Sequence, residues 1–136
     1  MCVYAKECKY QDACDLLTME PPDESFYEIK AKVIAVLANP KRLQIIELLG
    51  KSERTVSDLS ADLEIAQATT SQHLAVMRKS GVVETRKDGN FVYYRLADQK
   101  IAEACAVMSR AILDLLMTQQ EKLRPLLAAA QRHGGG

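Results

Sequence analysis

The stretch Gln67-Ala68-Thr69-Thr70-Ser71-Gln72-His73-Leu74, with Arg78, Lys79 and Gly81 soon after it, decides how the rest of this chain is read. Short polar side chains crowd its first turns, and the spacing of Leu74 and Met77 predicts a helix over about 67–80 that Gly81 stops. The period then changes. Val82-Val83-Glu84-Thr85-Arg86 and Phe91-Val92-Tyr93-Tyr94-Arg95-Leu96 are β-rich runs. Between them Lys87-Asp88-Gly89-Asn90 suits a turn, because Gly and Asn tolerate positive φ, so the pair predicts a β-hairpin.

Working outward, the segments before this unit are helical. Asp23 or Ser25 can cap a helix carrying Ile29, Val33, Ile34, Val36 and Leu37, and Asn39-Pro40 interrupts it. Pro40 suits the first turn of a new helix through Leu49, which Gly50 is expected to end. Thr55 and Asp58 have the spacing of a capping box, with Asp in the place of Glu, and Leu59, Leu63 and Ile65 follow. After the hairpin, Ile101, Ala104, Cys105, Met108, Ile112, Leu115 and Leu116 recur at helical spacing over about 98–120. That stripe is longer than one small core can cover and reads as a homodimer surface. A second apolar helical stretch is expected around Pro125 to Ala130, before a flexible His133-Gly134-Gly135-Gly136 tail. The chain thus divides into a cysteine-containing head over 1–23, a main domain with dimerisation helices over 24–120, and a helical extension with the tail over 121–136.

The composition narrows the function. One hundred and thirty-six residues with 48% apolar and 26% charged side chains make one ordinary globular domain. Eighteen basic residues balance eighteen acidic ones, so a polybasic tail is excluded and any nucleic-acid surface must be local. No apolar run approaches the ~20 residues of a membrane span. Cys, Lys and Glu near the N-terminus argue against a secretory leader, and a cytoplasmic location is expected. Four cysteines then read as thiols or metal ligands rather than disulfides. No Cys-x-x-Cys and no phosphate-cradling loop accompanies them, which argues against a thiol enzyme. Aromatic content of 5% without Trp argues against a stacking platform for single strands.

Three short helices followed by a hairpin is the order of a winged helix-turn-helix, mainly α with a β-hairpin wing. In that module one helix enters the major groove, the preceding helix braces it, and the wing reaches flanking phosphates. Gln67, Thr69, Thr70, Ser71, Gln72 and His73 supply the polar tip; Gln can pair with adenine and Thr can meet a thymine methyl or a phosphate. Arg78 and Lys79 flank it, and Arg86, Lys87 and Arg95 come from the hairpin. From Gln67 to Arg95 these five basic residues face only Glu84 and Asp88, a local net of +3, whereas residues 1–38 carry −3. Each feature alone also fits a solvated surface, and His73 also fits a packing role beneath its helix. The combined order is what points to double-stranded DNA.

Leu37-Ala38-Asn39-Pro40-Lys41-Arg42-Leu43-Gln44-Ile45-Ile46-Glu47-Leu48-Leu49 resembles the opening helix pair of the ArsR/SmtB family of bacterial repressors. Gln67 to Leu74 resembles its recognition helix, and Gly81 through Gly89 to Leu96 its wing; the likeness spans about 30–120. The resemblance implies a homodimer on an imperfect palindrome, released from operator DNA by an inducer, commonly a metal or metalloid ion.

The inducer is read from ligand chemistry. Family sensors of Zn(II), Ni(II) or Co(II) pair Asp, His and Glu on the last helix, but here that helix offers Asp98, Glu103 and Asp114 and no histidine, His133 being read as part of the Gly tail. Thiolates select soft ions, and Cys2, Cys8 and Cys14 form a cluster in the polar head. A spacing of six does not keep them on one helix face, so they converge only through a loop or a partner subunit. A related branch adds a Cys-x-Cys before the recognition helix; Thr55 and Ser57 stand there, so a four-thiolate site is incomplete. Three sulfurs suit pyramidal As(III), the favoured inducer, and no organic cofactor is expected. Cys105 lies on the apolar stripe, as a small buried residue or as an additional thiol. The alternative is a repressor of the same fold that senses oxidants or sulfane sulfur through its cysteines.

Overall fold

The computed structural model describes residues 23–133. It divides the chain into two units, residues 1–35 and 36–136. Of the first, helix α1 (Glu24–Leu37) is described; Asp23 opens it by accepting from the Phe26 amide, and Phe26, Tyr27, Ile29 and Ile34 are exposed on it. The cysteine cluster Cys2, Cys8 and Cys14 and the tail Gly134 to Gly136 lie outside the described residues.

In the second unit the first two helices begin where the sequence supplies a cap. Asn39 accepts from the amides of Lys41 and Arg42 at 3.0 and 3.2 Å, and Pro40 takes the first position of α2 (Pro40–Lys51). α3 (Val56–Leu63) opens on the reciprocal bonds of Thr55 and Asp58, and these hold the Asp58 carboxyl below its ordinary pKa. α3 ends on Glu64, which is left-handed at φ 53°. Lys41 reaches across to donate to the Leu63 carbonyl at 3.0 Å. α4 (Gln67–Lys79) closes on Gly81 at φ +79°, where the Val82 amide returns to Met77 O and that of Gly81 to Arg78 O. That is a Schellman ending with glycine in the position that requires it.

Strands β1 (Val83–Asp88) and β2 (Phe91–Leu96) pair antiparallel, from Val83 opposite Leu96 to Asp88 opposite Phe91. The loop is therefore only Gly89-Asn90, with Gly89 at φ +58°. Arg54, between α2 and α3, adds a one-residue antiparallel bridge to Tyr94 on the outer side of β2. The core gathers Ile45, Ile46 and Leu49 of α2, Leu59 and Leu63 of α3, Leu74 and Met77 of α4, and Val82, Val83 and Leu96.

The last helix, α5 (Lys100–His133), is one continuous element of 34 residues, about 51 Å long at 1.5 Å per residue. Pro125 lies inside it rather than opening a separate segment. Leu- and Ala-rich flanks of high helix propensity carry the helix past the one backbone bond that proline removes. His133 is accordingly the last residue of α5 and not the first of a tail. Gly50 also departs from expectation. It does not end α2, which continues to Lys51; instead a Cβ built at Gly50 would lie 2.8 Å from Ala102 Cβ, so glycine lets α5 cross close to α2. Among the described residues no helix is long and apolar enough to cross a membrane.

Candidate nucleic-acid interface

α4 turns one side inward. Thr70, Leu74 and Met77 are buried, and at ~100° per residue Ala68, Gln72 and Lys79 fall on the opposite side. Gln67, Thr69, Ser71, Gln72, Arg78 and Lys79 are all exposed. Ala68 and Ala75 are exposed as well, and their small side chains leave room for a close surface. Gln67 donates from Nε2 to Ser57 Oγ at 3.1 Å, which ties the tip of α4 to the first turn of α3.

Thr70 leaves the outward set. It is fully buried, accepts from the Ser60 hydroxyl at 2.9 Å and donates to the Ala66 carbonyl at 3.3 Å. It sits four residues before Leu74 and so shares its inward face. His73 is half-buried, and its Nδ1 accepts from Arg42 Nε at 3.3 Å. That contact leaves the imidazole proton on Nε2. Burial first, and the Arg42 charge second, hold its pKa below the ordinary histidine value. Arg42 itself is fixed by a 3.0 Å bond from Nη1 to the Val36 carbonyl.

The hairpin separates basic residues that are adjacent in sequence. Side chains alternate across a strand, so Lys87 shares a face with Val83, Thr85 and Tyr94, while Arg86 and Arg95 share the other with Glu84 and Tyr93. A recess between α4 and β2 is lined by Ser71, Ala75, Arg78, Lys79 and Tyr94. On the opposite face, Arg86 forks onto Glu53, with Nη2 2.7 Å from Oε2 and Nε 3.1 Å from the same oxygen. Its guanidinium carbon lies 5.0 Å from the Tyr93 ring centre. Arg95 reaches Glu84 at 3.2 Å and Glu53 at 3.8 Å. Glu53 and Arg42 were invisible as site residues in the sequence, because each acts on a partner more than thirty positions away.

On α5, Met108, Ile112, Leu115 and Leu116 are 48–63% exposed, which leaves an apolar row open to a partner. Cys105 is partly buried on the same helix, and desolvation pushes its thiol pKa up. Among the described residues no three His, Cys, Asp or Glu side chains converge as a metal site requires.

Residues 39–85 match the sequence pattern described as bacterial regulatory protein, arsR family. The HTH-type transcriptional regulator Rv0081 of Mycobacterium tuberculosis is 38% identical over 106 residues, 77% of this chain and 93% of that protein. The chain belongs to the arsR family. The crystal structure of Rv0081 superposes with a TM-score of 0.65 at 37% identity, covering 71% of this chain and 98% of that one. A homodimeric winged helix-turn-helix DNA-binding domain from Mycobacterium bovis, a possible ArsR-family regulator, gives a TM-score of 0.64 at 29% identity, covering 73% and 92%. The transcriptional repressor BigR of Xylella fastidiosa gives 0.59 at 33% identity, covering 65% and 90%. This arsR-family chain is accordingly a winged helix-turn-helix transcriptional regulator, in a family of regulators rather than enzymes.

Proposed function

We propose that this chain is a homodimeric repressor that lays α4 of each copy into successive major grooves and is released by a thiophilic ion. The observation that carries the DNA reading is the exposed set Gln67, Thr69, Ser71, Gln72, Arg78 and Lys79 on the flanks and outer side of a helix whose inward side is fully packed. Gln72 offers an amide fork for adenine, Thr69 a methyl and a hydroxyl, and Arg78, Lys79 and Lys87 offer charge for phosphates. His73 adds a neutral Nε2 donor beside them. The open apolar row on α5 supports a two-fold dimer, which would set the two α4 helices one DNA turn apart, roughly 34–36 Å.

The inducer reading rests on the thiol chemistry of Cys2, Cys8 and Cys14, whose count suits trigonal As(III). Cys105 is the weaker ligand, because a thiol whose pKa is raised is mostly protonated at neutral pH. Occupying the head would bias the dimer toward a spacing of α4 helices that no longer matches the grooves. A coupling of about 3 kcal/mol would lower operator affinity about 150-fold.

The test is the affinity for DNA upstream of the gene, with and without arsenite, in the wild type and in Cys8→Ser/Cys14→Ser. Arsenite should weaken binding by the wild type alone; equal responses remove the head from the mechanism. Loss of affinity after persulfide but not after arsenite would transfer the reading to sulfane-sulfur sensing by the same thiols.

A further inference from the structure

We infer that Glu53 is a carboxylate clasp on the wing: it occupies Arg86 and Arg95 so that Lys87 is the wing's free cation toward DNA phosphates. The inference rests on the DNA-binding reading above and deepens it, since it specifies how many charges the wing brings to the duplex.

Three independent features place the clasp. Glu53 is delivered by a fixed backbone, because its neighbour Arg54 exchanges two amide bonds with Tyr94, at 3.1 and 2.8 Å. Alternation along that bridge puts Arg54 with Tyr94 and Glu53 on the face of Tyr93, Arg86 and Arg95. The carboxylate takes the Nε and Nη2 edge of Arg86 and lies 3.8 Å from Arg95. Finally, both guanidinium groups have further partners. Arg86 stacks on Tyr93 and approaches Asp88 at 3.6 Å, and Arg95 pairs with Glu84 at 3.2 Å. Hydrogen bonding and charge from Arg86 hold the Glu53 carboxyl below its ordinary pKa, so it stays ionised at neutral pH.

On the opposite face Asp62 pairs with Arg54 at 2.7 Å, and among the described residues no acid pairs with Lys87. Arg78, Lys79 and Lys87 make no ion pair within 4.0 Å among the described residues, and all three are exposed. A phosphate meeting Arg86 would have to displace a bidentate carboxylate that is already in place, while one meeting Lys87 displaces only water and counterions. The clasp thereby lowers the sequence-independent part of the affinity and leaves a larger share of binding to α4.

The salt dependence of binding counts neutralised phosphates directly, with a log–log slope of about −0.9 per contact. The full-length dimer is titrated against a fluorescein-labelled duplex of generic sequence at several ionic strengths. Glu53→Gln releases Arg86 in each subunit while Glu84 still holds Arg95, so the slope should steepen by about 2 units per dimer, and low-salt affinity should rise. Arg86→Gln alone should leave the wild-type slope unchanged, because that guanidinium is already neutralised. Arg86→Gln added to Glu53→Gln should return part of the extra slope. Circular dichroism and melting of each variant confirm that the comparison is made on folded protein. An unchanged or flatter slope in Glu53→Gln overturns the clasp, as does a flattening by Arg86→Gln alone. A wild type that fails to bind any duplex at low salt overturns instead the DNA reading on which the clasp depends.

Discussion

The hydroxyl of Ser60 on α3 donates to the hydroxyl of Thr70 on α4 across 2.9 Å, with Ser60 7% and Thr70 0% exposed. This is a polar pin between the two helices that set the recognition angle. Removing one partner leaves the other buried and unsatisfied, which costs about 1–3 kcal/mol. Thr70→Val should therefore lower stability by that amount in urea denaturation. Ser60→Ala/Thr70→Val should cost less than the two single changes summed, because the apolar pair orphans nothing.

Gly50 is a contact residue and not a helix stop. Gly50→Ala places a methyl 2.8 Å from Ala102 Cβ, and neither atom can rotate away. The overpacking, about 1–3 kcal/mol, should outweigh the ~1 kcal/mol that alanine gains in helix propensity. Melting should show a net loss. Ala102→Gly should be better tolerated beside Gly50→Ala than in the wild type.

His73 couples stability to pH. Its folded pKa is depressed, first by burial and then by Arg42, so the fold favours the neutral ring. The contribution is complete above the ordinary value of about 6.5. It is lost as pH falls from there through the lower folded pKa. Denaturation midpoints between pH ~7.5 and ~5 should decline in the wild type and decline less in His73→Gln.

The apolar row of α5 gives a direct test of assembly. Ile112→Glu/Leu116→Glu puts two charges into the face expected to meet a second copy, at a site where the monomer makes little use of either side chain. Sedimentation should find the wild type at twice the 15.1 kDa chain mass and the variant at the chain mass.

Cys105 should react slowly. Desolvation raises its thiol pKa, and the thiolate is the nucleophile. In a Cys2→Ser/Cys8→Ser/Cys14→Ser background, alkylation by iodoacetamide at neutral pH should be slower than that of an unstructured cysteine peptide. Denaturation should abolish the difference.

Local signals were legible in the sequence wherever a structure is decided within a few residues. Asn39-Pro40, Thr55 with Asp58, Gly81 and the Gly89 turn each fix an element boundary through bonds spanning at most five positions. The winged order and the polar face of α4 followed from those boundaries. What stayed hidden depends on distant partners. Thr70 looks like its exposed neighbours until α3 supplies Ser60 and the core. The main partner of Arg86 is missing from any local window, because Glu53 lies 33 positions before it. Gly50 resembles a terminator until Ala102 arrives beside it. Pro125 resembles a break because its cost is local, whereas the helical preference of its flanks is spread over many residues.

The six residues from Gly50 to Thr55 touch three different elements beyond α2. Gly50 abuts α5, Glu53 and Arg54 anchor the hairpin, and Thr55 opens α3. The long helix and the wing thus share one mounting bracket. A substitution anywhere in this short segment therefore bears on the seating of both at once.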